Sequence, residues 1–133
     1  MKVIIGRPPL WDEIDAAFHV AGKPVFFAWG DCIYNPEGLA IPPALKAHER
    51  VHMEQQRAIL PTEWWRRYIA DAQFRLDQEI PAHRAEFTEF CRHHSNKNRR
   101  AEALEFAARR LSGNLYGCII PYAQAWEVIA HGP

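Results

Sequence analysis

Apolar and polar residues recur with two different periods along this chain, and the changes of period mark its elements. From Leu10 to Val20, Trp11, Ile14, Ala17 and Phe18 fall on one side of a helical projection, which predicts a short amphipathic helix. Val25-Phe26-Phe27-Ala28-Trp29 and Cys32-Ile33-Tyr34-Asn35 read instead as two strands. The Gly30-Asp31 pair between them suits a type II′ hairpin turn, and Asn35-Pro36-Glu37-Gly38 makes the next turn. Helical spacing then takes over. Ile41-Pro42-Pro43 leads into a stretch from Ala44 to Arg57 without glycine or proline, and proline is favoured in a first helical turn, where its missing N–H costs nothing.

Leu60-Pro61-Thr62 closes that helix, and Thr62 is a candidate cap for another that runs to about Arg75, with Trp65, Tyr68, Ile69, Ala72 and Leu76 at helical spacing. Asp77 is a candidate cap for a third long helix through about Arg92, since a break there puts Pro81 in a first turn instead of a helix interior. Ser95-Asn96-Lys97-Asn98 is a polar connection, Arg99 to Leu111 is helical, Ser112-Gly113-Asn114 breaks the pattern, and Pro121 to Ile129 forms a last helix. The expected fold is α+β and predominantly helical, with one small β-hairpin. No repeat, low-complexity tract or linker divides the chain, so residues 1–133 read as one domain.

Composition narrows the possibilities. With 48% hydrophobic residues in 133, there is enough apolar material for a real core. Lys+Arg and Asp+Glu are both 16, a neutral balance that argues against a nucleic-acid or anionic-membrane binder. Val3-Ile4-Ile5 is too short for a signal-peptide core, and no apolar stretch approaches a membrane span. Cys32, Cys91 and Cys118 are odd in number and lack Cys-x-x-Cys spacing, which fits buried small hydrophobes in a reducing cytoplasm. In Trp64-Trp65-Arg66-Arg67-Tyr68, Trp65 and Tyr68 read as core and the arginines as solvated. Arg92-His93-His94 lies near a helix C-terminus, where the dipole favours positive charge.

The chemistry is concentrated in His48-Glu49-Arg50-Val51-His52. Residues four apart on a helix project from one face about 6 Å apart along the axis, so both imidazoles can converge on one Zn²⁺. Glu49 is rotated about 100° from His48 but only about 60° from His52, so it can flank the ion and reach a water without ligating. A catalytic zinc site expects a third protein ligand. The candidates downstream are Glu79, His83, Glu86, His93 and His94. Glu79 is favoured because it falls in the first turn of the third long helix, because Ala82, three residues on, lets that helix approach the His48 helix closely, and because 79 − 52 = 27 residues leave room for one antiparallel helix and a turn. Glu86, two turns further on, is the runner-up. The metzincin arrangement is excluded, because Gln55 stands at its glycine position and Ala58 at its third histidine.

His48-Glu49-x-x-His52 followed by Glu79-Ile80-Pro81-Ala82 resembles the gluzincin pattern of thermolysin-like peptidases. Pro24 to Asp31, Tyr34-Asn35-Pro36 and Leu111 to Gly117 are similar to segments of minimal single-domain members, the minigluzincins, and of their phage- and prophage-encoded relatives. The likeness covers roughly residues 20–125. It implies a zincin-like fold, zinc held by His48, His52 and Glu79, and Glu49 as the base of a metallopeptidase acting on a peptide or protein. Where those enzymes place an aspartate four residues after the glutamate ligand, this chain has His83. The partner of a zinc-bound histidine must then come from Asp71, Glu86 or a backbone carbonyl. His83, Tyr116 and Tyr122 are the candidate donors to the reacting oxyanion or supports of the ligands, and His83, a lone histidine near a helix start, reads first as structural.

The hairpin's second strand or Leu39-Ala40-Ile41 is expected to offer an edge to an extended peptide. The segment after Gly113, with Leu115, Tyr116, Ile119 and Ile120, is a candidate cover for the cleft that keeps an enzyme latent. Two competing readings are a non-catalytic zinc-binding assembly protein of a phage, virion-associated or homo-oligomeric, and a regulatory module without metal.

Overall fold

Gly30 adopts a φ of 63° while Asp31 is not among the residues with positive φ, the combination that a type II′ turn requires. The hairpin forms as expected. In the computed structural model, which describes residues 1–131, it joins β2 (Phe27–Trp29) to β3 (Cys32–Tyr34) with Ala28 opposite Ile33. A strand not anticipated from the sequence, β1 (Lys2–Ile4), pairs in parallel with β3, Val3 opposite Ile33. The sheet order is β1-β3-β2, so β3 is central and both its edges are occupied.

The helices are α1 (Trp11–Phe18), α2 (Pro43–Ile59), α3 (Pro61–Ala70), α4 (Ala72–His93), α5 (Lys97–Ser112) and α6 (Tyr122–His131), with a 3₁₀ turn at Asn114–Tyr116. The fold is thus α+β and mostly helical. Pro42 in extended conformation hands α2 to Pro43 at its first position, as expected. Two boundaries differ. Leu60, not Thr62, is the residue before α3, and α3 ends at Ala70, not near Arg75. The next helix is capped by Asp71, whose carboxylate accepts from the backbone N–H of Gln73 (3.0 Å) and Phe74 (3.1 Å).

From that cap α4 runs unbroken to His93 through Pro81, so the expected break at Asp77 is absent. Pro81 withholds the N–H that would reach the carbonyl of Asp77, but Asp77 is an exposed residue whose carbonyl water can serve. Glu79 consequently lies in mid-helix, not in a first turn.

Asn96 caps α5 through Asn98 and Arg99. Leu104, Ala107, Ala108 and Leu111 of α5 and Ala125 and Ile129 of α6 are buried in the core, as are Ile14, Phe27, Trp64 and Trp65. Trp65 and Tyr68 are buried while Arg66 and Arg67 are exposed, as expected. The cysteines are not the buried residues anticipated: Cys32 and Cys91 are half-buried, and Cys118 is exposed, with a φ of 55° in the turn leading to α6. Among the described residues no helix is long and apolar enough to cross a membrane.

Candidate metal centre

The buried residues of α2 are His48, Glu49, His52 and Gln56, all polar. A helix that buries such a row must satisfy each group by a specific partner. For the two histidines they include Glu79 and Glu86 of α4, which packs along α2. Gln56 faces the sheet. Its amide oxygen accepts from Gly30 N–H (2.7 Å) and its amide nitrogen donates to the Ala28 carbonyl (2.9 Å), which also accepts from the Trp65 indole (2.9 Å). These bonds fix the hairpin against α2.

Closer to the N-terminus of α2, His48, His52 and Glu79 converge. His48 Nε2 lies 3.2 Å from His52 Nε2 and 3.2 Å from Glu79 Oε1, and His52 Nε2 lies 3.3 Å from Glu79 Oε2. All three residues are buried, and their donor atoms form a group that can hold a metal ion.

The chemistry of the neighbours explains why both Nε2 atoms are offered inward. The amide nitrogen of Gln55 donates to the carbonyl of Gln78 (3.0 Å), and a carbonyl can only accept. The Gln55 oxygen must therefore face His52 Nδ1, 2.9 Å away, and that nitrogen carries the proton. His52 Nε2 is left with its lone pair. On the other ring, Glu86 Oε1 stands 2.8 Å from His48 Nδ1, and Glu86 Oε2 accepts from Arg110 (2.8 Å). The His48–Glu86 approach is close without the alignment of a full hydrogen bond, yet a carboxylate at that distance places the proton on Nδ1. With Nδ1 engaged on each ring, both Nε2 atoms turn toward one point 3.2 Å apart, where a cation can take the place of the proton that the surrounding carboxylates otherwise hold on His48.

Glu79 shows the same incompleteness. Its Oε2 accepts a 2.5 Å hydrogen bond from the Tyr68 hydroxyl, while its buried Oε1 has no hydrogen-bond partner. An acceptor left bare in the interior costs free energy unless a cation completes it. The donor set fits a metal.

Charge tells the same story. Glu49, Glu79 and Glu86 gather around the two imidazoles. Burial lowers the pKa of His48, but Glu79 and Glu86 outweigh it and hold the ring up at about 10. Burial likewise opposes ionisation of Glu79, yet His52, His48 and His83 keep its carboxyl well below the usual range. Glu86 is held down at about 2 despite its burial, by His48 and Arg110. Glu49 moves the other way, because burial raises its pKa by more than His48 and His52 lower it.

The group opens on a cleft of 760 Å³ lined by Glu49 and by aromatic and aliphatic side chains, among them Leu45, Phe26, Phe87, Phe90 and Phe106. Tyr116 is on its wall, and burial, with Glu79 nearby, keeps that phenol protonated by raising its pKa well above the ordinary value. His83 is fully buried behind His48, its Nδ1 3.0 Å from the Glu79 carbonyl and 3.4 Å from Glu79 Oε1, a supporting place beside the group and not one on the cleft wall. Three expectations are corrected. Tyr122 is 42% exposed at the start of α6 and does not line the cleft. Glu86 is not a third ligand, because it meets His48 at Nδ1, not at the shared Nε2. Asp71 serves as the cap of α4.

The strand edge also moves. β3 is paired on both sides and offers no edge, and the outer side of β2 faces α2, where Gln56 already bonds it, although Leu39 and Ala40 do line the cleft. Leu115 and Tyr116 form part of the cleft wall, whereas Ile119 and Ile120 pack toward the core and α6 lies on α4 and α5. The C-terminal segment is a wall, not a cover. Sequence reasoning passed over Gln55 and Arg110 and took Tyr68 for core alone; all three act across helix interfaces that no local spacing reveals. The chain matches no family model, no curated protein and no solved structure.

Proposed function

We propose that this chain is a zinc-dependent hydrolase, a metallopeptidase of zincin-like architecture that cleaves peptide bonds. The observation that carries the reading is the convergence of His48 Nε2, His52 Nε2 and the Glu79 carboxylate within 3.2–3.3 Å at the floor of a cleft that Glu49 also lines. Ligands of a tetrahedral Zn²⁺ at roughly 2.0–2.1 Å sit about 3.3 Å from one another, and two histidines with a glutamate are a catalytic zinc set.

A bound Zn²⁺ supplies Lewis-acid polarisation of the scissile carbonyl and lowers the pKa of water to about 7. The chain supplies the rest. Glu49, a stronger base for its burial, takes a proton from water at its carboxylate and returns it to the leaving amine. Gln55 and Glu86 hold the two rings with Nε2 inward. Protonated Tyr116 is a donor on the cleft wall. The substrate class is peptide or protein, with bulky apolar side chains suited to Phe87, Phe90 and Phe106.

The test compares wild type with Glu49→Gln on a mixed peptide library, with zinc content measured in parallel. Cleavage should fall about 10²- to 10⁴-fold in the variant while zinc stays stoichiometric. Equal cleavage by both proteins would place the activity elsewhere. Stoichiometric zinc with no cleavage by either would favour the non-catalytic assembly protein.

A further inference from the structure

Arg75 is a buried cation that the proposed chemistry leaves unused. Only 8% exposed, it spends its guanidinium on backbone carbonyls: Nε donates to Tyr68 (2.9 Å), Nη2 to Ile69 (3.0 Å) and Nη1 to Tyr116 (3.0 Å). Tyr68 and Ile69 are in the last turn of α3, where carbonyls lack helical donors, so two of these bonds cap that helix. The third reaches 41 residues along the chain to the 3₁₀ turn. The guanidinium also lies 4.9 Å from the Phe18 ring centre and 5.6 Å from that of Tyr68.

The residues held this way flank the metal centre. Tyr68 places its hydroxyl 2.5 Å from Glu79 Oε2, and Tyr116 packs edge-on against His83 at 5.5 Å, which packs against His48 at 4.7 Å. Glu79 itself is one turn beyond Arg75 on α4. A planar fork with three separate donor nitrogens is suited to fixing three carbonyls at once, a geometry that the single nitrogen of a lysine does not reproduce.

We propose that Arg75 is a positioning residue for the ligand carboxylate. By clamping Tyr68 it keeps the phenol on Glu79 Oε2, so that Oε1 is the oxygen left free for the cation. This rests on the metal-binding reading above. A purely structural Arg75 would stabilise α3 without touching metal affinity, and the two roles separate experimentally.

Zn²⁺ affinity is measured by competition with a chromogenic chelator, and the visible spectrum of the Co²⁺-loaded protein is recorded, for wild type, Tyr68→Phe, Arg75→Met and the double variant. Each single change should weaken Zn²⁺ binding about 10- to 100-fold and alter the Co²⁺ bands. The double variant should be no weaker than the poorer single, because both act through one hydrogen bond. Leu111→Ala, destabilising but remote, should leave both readouts unchanged. If Arg75→Met does not fold, Arg75→Lys takes its place in both backgrounds.

Wild-type affinity and an unaltered Co²⁺ spectrum in the Arg75 variant would overturn the proposal. So would losses in the double variant that multiply. Wild type that binds no Zn²⁺ would instead remove the metal reading, and this inference with it.

Discussion

The α2–α4 and α5–α6 interfaces are both helix packings within one small domain, and they are built from opposite materials. Between α5 and α6 the buried residues are Leu104, Ala107, Ala108 and Leu111 against Ala125 and Ile129. Between α2 and α4 the paired residues are His48 and His52 against Glu79, His83 and Glu86. Apolar burial stabilises by about 25 cal/mol per Å² whatever the partner, whereas a buried carboxylate costs several kcal/mol unless its partners are placed. The first interface tolerates approximate shape; the second is held together by named atoms.

The largest test strikes the polar interface. Glu79→Ala removes one of three proposed ligands, and Zn²⁺ affinity should fall on the order of a thousandfold, read by chelator competition, with helical circular dichroism retained. Retained affinity would show that the convergence of the three groups is not a binding site. The mirror experiment strikes the apolar one. Leu111→Ala should cost about 2–5 kcal/mol in urea unfolding and leave metal affinity unchanged. A change in both would mean the interfaces are coupled.

A finer cut is Glu86→Gln, which leaves an amide opposite His48 Nδ1. Affinity should drop about 10- to 100-fold, with no loss of the metal's stoichiometry. The effect of pH is the most gradual. The carboxylates hold His48 at about 10 in the metal-free protein, so below that pH a proton must leave before the ring can ligate. Zn²⁺ affinity should therefore rise with pH, by about tenfold per unit for one competing proton, and a flat profile between pH 6 and 8 would count against His48 as a ligand.

Much of this was legible in one dimension, for physical reasons that also mark where it stopped. His48, Glu49 and His52 are one turn of one helix, so their spacing is their geometry. Gly30-Asp31 announces its own turn. Strand β1 could not be read, because a three-residue run gains its hydrogen bonds only from a parallel partner some thirty positions away. Asp71 and Asp77 both precede helix-forming residues, and Pro81 tipped the choice toward the wrong one; the cap that forms is the one whose carboxylate reaches two free N–H groups. Glu86 was named both as runner-up ligand and as a histidine's partner, and only its place at His48 Nδ1 decides between them, since sequence sets a residue on a face but not at one nitrogen of a ring.

Gln56 carries one more consequence. Spanning Gly30 N–H and the Ala28 carbonyl, its amide takes the place that a fourth strand would occupy beside β2. A sheet margin plugged in this way cannot template the addition of another chain at that end, so the hairpin is guarded against aggregation by the same helix that presents the imidazoles.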